Sequence, residues 1–250
     1  MKENPNEKRK IRTRNFIWWF VMISLLLSII YVAVEMALAP SVADARSPHM
    51  RIKSDYVLML AQCVLGIFAM LLPSMLAKRI NLIIPSNMLI AYTLFLYCAI
   101  FLGEVRNFYY IIPYWDTILH TFSGVMLGSL GFSFISFLNK TERIPLNLSP
   151  SFVAVFAFCF GVTLGVVWEF YEFSCDGLLN TNMQKFALEA GSMLSGRNAL
   201  VDTMQDLIVD AIGAAAVSVI GYISVKFKKG WIEKLLLKFH NSNKKSDKDI

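Results

Sequence analysis

Charge is what this sequence has least of. Only 17% of its 250 residues are Asp, Glu, Lys or Arg and 56% are hydrophobic, against roughly 25% and 45 to 50% in an average soluble domain. That balance argues against a soluble fold, and no polar stretch is long enough for a separate soluble domain. Cysteine is equally uninformative. Cys63, Cys98 and Cys159 fall inside apolar runs and Cys175 stands alone in a loop, so there is neither a disulfide framework nor a CxxC metal motif. There is no internal repeat, no low-complexity segment, no GxSxG elbow, no HExxH pair and no PSGH-type phosphatase signature.

What the chain does have is apolar runs of membrane length. A bilayer core requires about 20 mainly apolar residues per helix, and six such runs are present, near 16–38, 56–76, 85–103, 116–138, 150–173 and 202–225. The expected fold is all-α: a polytopic integral membrane protein of about six transmembrane helices occupying 16–225. It is flanked by a basic tail at 1–15 and another at 226–250. The first run follows basic residues and precedes Ala37-Leu38-Ala39, as a signal peptide would. Its length from Phe16 to Val34, and Pro40 after the would-be cut, favour a retained helix. The second tail spaces Trp231, Leu235 and Phe239 among lysines, which suits either a short amphipathic helix on the membrane surface or a disordered basic tail.

Orientation follows from the basic residues, which resist translocation. With the amino terminus inside, cytoplasmic segments hold 18 of the 24 Lys and Arg: six in the first tail, Lys78, Arg79, Lys140, Arg143, and eight from Lys226 to Lys248. Both termini are therefore expected in the cytoplasm. The net charge of +6 sits mainly in these tails, a pattern that topology and anionic lipid produce without nucleic acid as a partner. Acids run the other way, with twelve of 18 at the outer side. Acids contribute little to orientation, so this excess suggests a surface built for cations.

Three helices bring those acids to one face each. The fourth opens with Asp116 and His120 at i, i+4, the fifth closes with Glu169 and Glu172 at i, i+3, and the sixth opens with Asp202, Asp206 and Asp210 at i, i+4, i+8. At about 1.5 Å per residue, Asp210 lies roughly 12 Å deeper than Asp202. An acid at that depth costs on the order of 2.5 to 3.5 kcal/mol to insert, so it faces the bundle interior with a partner. Something cationic, or shared protons, must hold three like charges in register. Small residues follow the same stripes, Gly124 and Gly128, Gly161 and Gly165, Gly213 and Ala214, and allow close helix approach in lipid. The long loop from Ser174 to Val201 contains Lys185 and Arg197, with Arg197 placed to meet a phosphate or carboxylate.

Simpler readings stand beside these. Asp116 and Asp202 occupy N-cap positions. His120 suits an interhelical hydrogen bond. Glu172, Asp176, Glu189, Glu35 and Glu104 suit boundary charges, Arg197 a surface charge, and Tyr109, Tyr110, Tyr114 and Trp115 an interfacial belt. Trp168 and Tyr171 fit a cleft lining. Glu169, Asp206 and Asp210 resist such readings most.

The runs Tyr114-Trp115-Asp116-Thr117-Ile118-Leu119-His120, Trp168-Glu169-Phe170-Tyr171-Glu172 and Asp202 to Asp210 with Gly213 resemble the YjdF-type bacterial inner-membrane proteins, a family without an assigned biochemical function. More distantly, the order of Asp116, His120, Glu169, Arg197, Asp206 and Gly213 is similar to the VanZ-like family, with Thr117 where a lysine is usual and Asp210 where an asparagine is expected. The resemblance implies a bacterial cytoplasmic (inner) membrane.

Three functions remain in view. Carboxylates with one His suit a divalent cation, Mg²⁺, Mn²⁺ or Ca²⁺ better than zinc, held among Asp116, His120, Glu169, Glu172, Asp202, Asp206 and Asp210. Glu169 or His120 would move protons in a hydrolase or transferase acting on a lipid-linked or anionic envelope substrate, with Arg197 in binding. A cation- or proton-coupled carrier would use the helix-6 acids as a relay. A non-catalytic envelope protein would bind a lipid headgroup or a partner. The sequence does not define an oligomeric state.

Overall fold

The computed structural model describes residues 5–41, 51–79, 82–140, 148–188, 192–231 and 238–239. Its helices are α1 (Pro5–Leu38), α2 (Lys53–Arg79), α3 (Ser86–Leu96), the short α4 (Phe108–Ile111), α5 (Trp115–Lys140), α6 (Pro150–Leu179) and α7 (Val201–Lys226). Helix α3 runs on as a π-helix, Tyr97–Val105, and a 3₁₀ turn, Gly196–Leu200, leads into α7. Six of the helical stretches are long and apolar enough to cross a membrane. A minor addition to the all-α plan is a two-residue antiparallel pair, β1 (Leu82–Ile83) with β2 (Lys238–Phe239).

Several ends differ from the sequence expectation. The first helix begins at Pro5, not near residue 16, because the stretch from Glu7 to Arg14 is made of good helix formers and proline is tolerated in a first turn. Helix α6 begins with Pro150 at the first position and Ser149 Oγ accepting from the Phe152 N–H at 3.2 Å. It runs six residues past 173, to Leu179, and stops at Asn180 in the left-handed region (φ 54°). Its charges do not end it, since they are buried against other elements. Of the second tail, Phe239 lies in β2; Leu235 falls outside the described residues, as do Glu189 and Gly191.

The helices form two groups. Helices α1, α2 and α3 pack around Val21, Leu25, Cys63, Met70, Leu96 and Ile100. Helices α5, α6 and α7 pack more tightly, through their small residues. A methyl group on Gly161 would stand 3.0 Å from Ala214 Cβ and 3.2 Å from Gly128 N, and one on Gly131 would meet Ala157 Cα at 2.8 Å. At Gly124 and Gly213 it would strike backbone, the Asp210 and Thr121 carbonyls respectively. The outward faces are apolar, with Phe16, Trp19, Ile23, Leu27 and Ile30 exposed along α1, as a lipid solvent requires. The two groups touch only sparingly, through α2 with α6 and α5 with the π-helix.

The π-helix widens the helix and re-routes its hydrogen bonds: the Arg106 N–H reaches the Phe101 carbonyl at 2.9 Å. Trp115 Nε1 donates to the Cys98 carbonyl at 3.3 Å, tying the head of α5 to the widened segment. Gly213→Leu and Gly124→Leu are expected to destabilise the α5–α7 contact by about 1 to 3 kcal/mol, whereas Gly177→Ala, where nothing lies within 4 Å, should be neutral. Thermal loss of the monodisperse detergent-solubilised peak measures this; equal behaviour of all three variants would refute the close-packing account.

Candidate functional site

The helix periodicity that puts acids on one face of α5, α6 and α7 brings those faces together at the bundle end opposite the amino terminus. His120 is the hub. Its Nδ1 lies 3.3 Å from Asp210 Oδ2, and its Nε2 lies 3.6 Å from Asp116 Oδ1 and 3.9 Å from Asp206 Oδ2. His120, Asp206 and Asp210 are buried. Ser123 Oγ donates to Asp210 Oδ1 at 2.7 Å, so Asp210, the deepest acid, is held from α5 by two side chains. Glycine at 165 makes room for it: a Cβ there would stand 2.8 Å from Asp210 Oδ2. Asp116, His120 and Asp206 offer three ligand atoms within 4.8 Å of one another, a grouping a divalent cation could bridge.

The chain also supplies a cation of its own. Lys185 Nζ donates to Asp116 Oδ2 and, at 3.0 Å, to Asp202 Oδ1, joining the heads of α5 and α7. It also stands 5.7 Å from the centre of the Tyr109 ring. Burial alone would lower the Lys185 pKa, but the carboxylates of Asp116 and Asp202 outweigh it and hold the ammonium above its ordinary value. A raised lysine contributes its stability fully below the ordinary lysine pKa and loses it only as pH rises through the folded value. The bridge therefore stays charged through the neutral range. Neither Asp116 nor Asp202 is a lone helix cap: α7 has Leu200 at its N-cap with no side-chain cap bond.

Lys185 reaches the cluster because Asp176 anchors its loop. Asp176, buried, accepts from Thr181 Oγ1 at 2.6 Å, Met183 N at 2.7 Å and Gln184 N at 3.0 Å. Asn182 bonds both the N–H and the carbonyl of Ala187, and Ala187 pairs with Met193 to fold the segment back. Gln184 Nε2 then donates to Glu169 Oε2 at 3.1 Å and Thr203 Oγ1 at 3.0 Å. The reading of Asp176 and Glu172 as solvated boundary charges is corrected. Both are buried, with Trp168 Nε1 donating to Glu172 Oε1 at 2.8 Å. Sequence reasoning passed over Asp176 because its partners lie in a loop, which carries no helical period. The signal available was its i, i+4 and i, i+7 spacing from Glu172 and Glu169 on α6.

Arg197 is not brought in. It stands exposed on the 3₁₀ turn, away from the cavity described next. Glu35 also lies apart, whereas Glu104 joins the lining.

Between the two helix groups lies a cavity of about 700 Å³. Asp116, His120, Glu172, Asp176, Lys185 and Asp210 line its charged end, with Tyr109 and Tyr110. Tyr109 is thus a wall residue, while Tyr110 lines the cavity and remains exposed on its other side. Burial raises the Tyr109 phenol well above its ordinary value and that of Tyr110 to about 12, so both are neutral donors. Trp168 lines the cavity, while Tyr171 packs against it from outside, ring centres 5.0 Å apart. Glu169, Asp202 and Asp206 lie behind the lining, and among the described residues Glu169 Oε1 and Asp202 Oδ2 are buried without a hydrogen bond. Deeper in, the walls are apolar: Leu58, Leu65, Phe95, Met126 and Leu164.

Asp176→Ala removes three acceptor contacts, two to backbone N–H groups. At about 1.5 to 3 kcal/mol for bonds to a charged group, loop opening should become roughly ten- to a hundredfold more populated. Limited trypsin digestion of the solubilised protein should then cut after Lys185 at an increased rate, and an unchanged rate would show that Asp176 does not anchor the loop.

An uncharacterized protein from Thermotoga maritima is 34% identical over 122 residues, which is 48% of this chain and 54% of the relative. The match thus spans about half of that relative's own length. No solved structure matches. A family model described as "Predicted membrane protein (DUF2238)" matches residues 17–227, spanning all six long apolar helices, and the chain belongs to that family of membrane proteins.

Proposed function

We propose that this is a cell-envelope protein that binds the headgroup of a lipid-linked ligand, with a divalent cation at Asp116, His120 and Asp206. The observation that carries this reading is the graded cavity. One end is ionic and the other apolar, and the two ends lie at different depths of the same helices. On α2 the lining runs from Asp55 to Ala69, a span of 14 residue steps or roughly 21 Å of helix, long enough to take an apolar chain well into the bilayer. A headgroup would remain at the charged end.

The acid count supports a cation. Asp116, Asp202, Asp206, Asp210, Glu169 and Glu172 are gathered against one lysine and one histidine, and two buried carboxylate oxygens lack hydrogen-bond partners. Oxygen ligands with one imidazole favour Mg²⁺, Mn²⁺ or Ca²⁺. The cation would neutralise the cluster and present an open face to an anionic headgroup. His120, which lines the cavity, is the better placed proton carrier if the bound ligand reacts; Glu169 lies behind the wall and would act through Gln184 or Thr203. Of the distant VanZ-like order of polar residues, Asp116, His120, Glu169 and Asp206 fall in this cluster and Arg197 stands outside it, and the resemblance supplies no reaction.

The bias of Lys and Arg favours a cytoplasmic amino terminus, and in that orientation the cavity would open toward the extracytoplasmic side of a bacterial inner membrane. Elemental analysis of detergent-purified protein after supplementation tests the cation. Wild type should carry close to one Mg, Mn or Ca per chain, and a monodisperse Asp116→Ala/Asp206→Ala variant should lose it. Metal-free wild type would overturn the cation part. Native mass spectrometry of the same sample tests the ligand, with a co-purifying amphiphile expected.

A further inference from the structure

The charged end of the cavity is not uniformly acidic. Arg51, just before α2, lines it from the other helix group. Its Nη1 lies 3.4 Å from the Val105 carbonyl and 3.8 Å from Met59 Sδ, and its Nη2 lies 3.5 Å from the Glu104 carbonyl. Among the described residues these partners are all neutral, and all are at the long limit of hydrogen bonding. They orient the half-buried guanidinium, and the Glu104 side chain lies within its electrostatic reach. Lys185 is in the opposite situation, bonded to two carboxylates.

The contacts form a continuous wall from one cation to the other. The carbonyls that Arg51 touches belong to the end of the π-helix, where Gly103 receives the Tyr109 ring. Lys185 sits over that ring and bonds Asp116. Glu104 lies within electrostatic reach of Arg51, Asp116 and Lys185. An anion entering the mouth therefore meets the Arg51 guanidinium on the α2 side, beside Glu104 and Asp55, and faces the acid cluster across the cavity.

We infer that Arg51 recognises a phosphate, and that the ligand is an apolar chain ending in a phosphate group. This rests on the amphiphile reading above and narrows it. A guanidinium fork matches two phosphate oxygens with parallel N–H bonds. Mg²⁺ is commonly held by one or two carboxylates together with a ligand phosphate, so a cation at Asp116 and Asp206 would meet the phosphate from the opposite side. Below Arg51 the lining continues through Leu58, Met59, Leu65 and Ala69. From Lys53, where α2 begins, to Ala69 the helix rises 16 residue steps, roughly 24 Å, so an anchored phosphate leaves the chain in the apolar part.

The test uses full-length protein in nanodiscs of a neutral phosphatidylcholine matrix. Titrants are a diacyl phosphate monoester, the matching diacylglycerol and inorganic phosphate, read by tryptophan fluorescence with native mass spectrometry as a check on stoichiometry. The phosphate monoester should bind at least about tenfold more tightly than the diacylglycerol, as the loss of a charge-assisted contact predicts. Inorganic phosphate should not displace it at equal concentration. Arg51→Gln should remove most of that preference, Arg51→Lys should restore part of it, and Arg197→Gln should leave it intact. If both lipids bind wild type equally, or Arg51→Gln keeps the preference, the phosphate assignment is overturned while the amphiphile reading stands. If inorganic phosphate binds as tightly as the lipid, the site is an anion site and the apolar-chain assignment falls. If none of the titrants binds, both readings fall.

Discussion

Like charges gathered at the end of a membrane bundle repel one another, and burial makes the repulsion worse. In this protein the bridge from Lys185 to Asp116 and Asp202 is what makes the gathering tenable. It joins α5 to α7 at the level where their acids converge, while His120 makes a second bridge one turn deeper to Asp210 and Asp206. Much of the site's design follows from the need to hold Lys185 there. Asp176 fixes its loop, Gln184 ties that loop to α6 and α7, and Tyr109 covers the ammonium from the other helix group.

The small residues are the second requirement. Close approach of α5, α6 and α7 removes side-chain volume between their axes, so short polar side chains can reach across. Gly165 is the direct case, since a Cβ there would crowd the carboxylate of Asp210. Packing and polarity are thus coupled, because the residues that let the helices touch also bring the acids to His120. The first helix group packs through larger aliphatic and aromatic side chains, with Gly66 receiving Ile100, and a cavity lies where the two groups meet.

That cavity gives the site a direction. Its charged end belongs jointly to both groups, with Arg51 and Glu104 on one side and the acid cluster on the other, and its apolar end runs toward the middle of the membrane. The π-helical segment contributes Ile100 and Glu104 to the lining from a stretch where the backbone is widened, and such segments often mark functional positions in helices.

The sequence by itself determined the membrane class, the six apolar runs and which residues of each helix share a face, because hydropathy and the 3.6-residue period are local properties. Asp116 with His120, Glu169 with Glu172, and the ladder through Asp210 could all be read in that way. Only the tertiary structure decided which faces meet. It placed Lys185 rather than Arg197 at the acids, and buried Asp176 where the sequence suggested a solvated charge. It also turned Tyr109, Tyr110 and Glu104 into cavity walls. These choices depend on loop conformation and on contacts between helices far apart in the chain, and neither leaves a periodic trace in the order of residues.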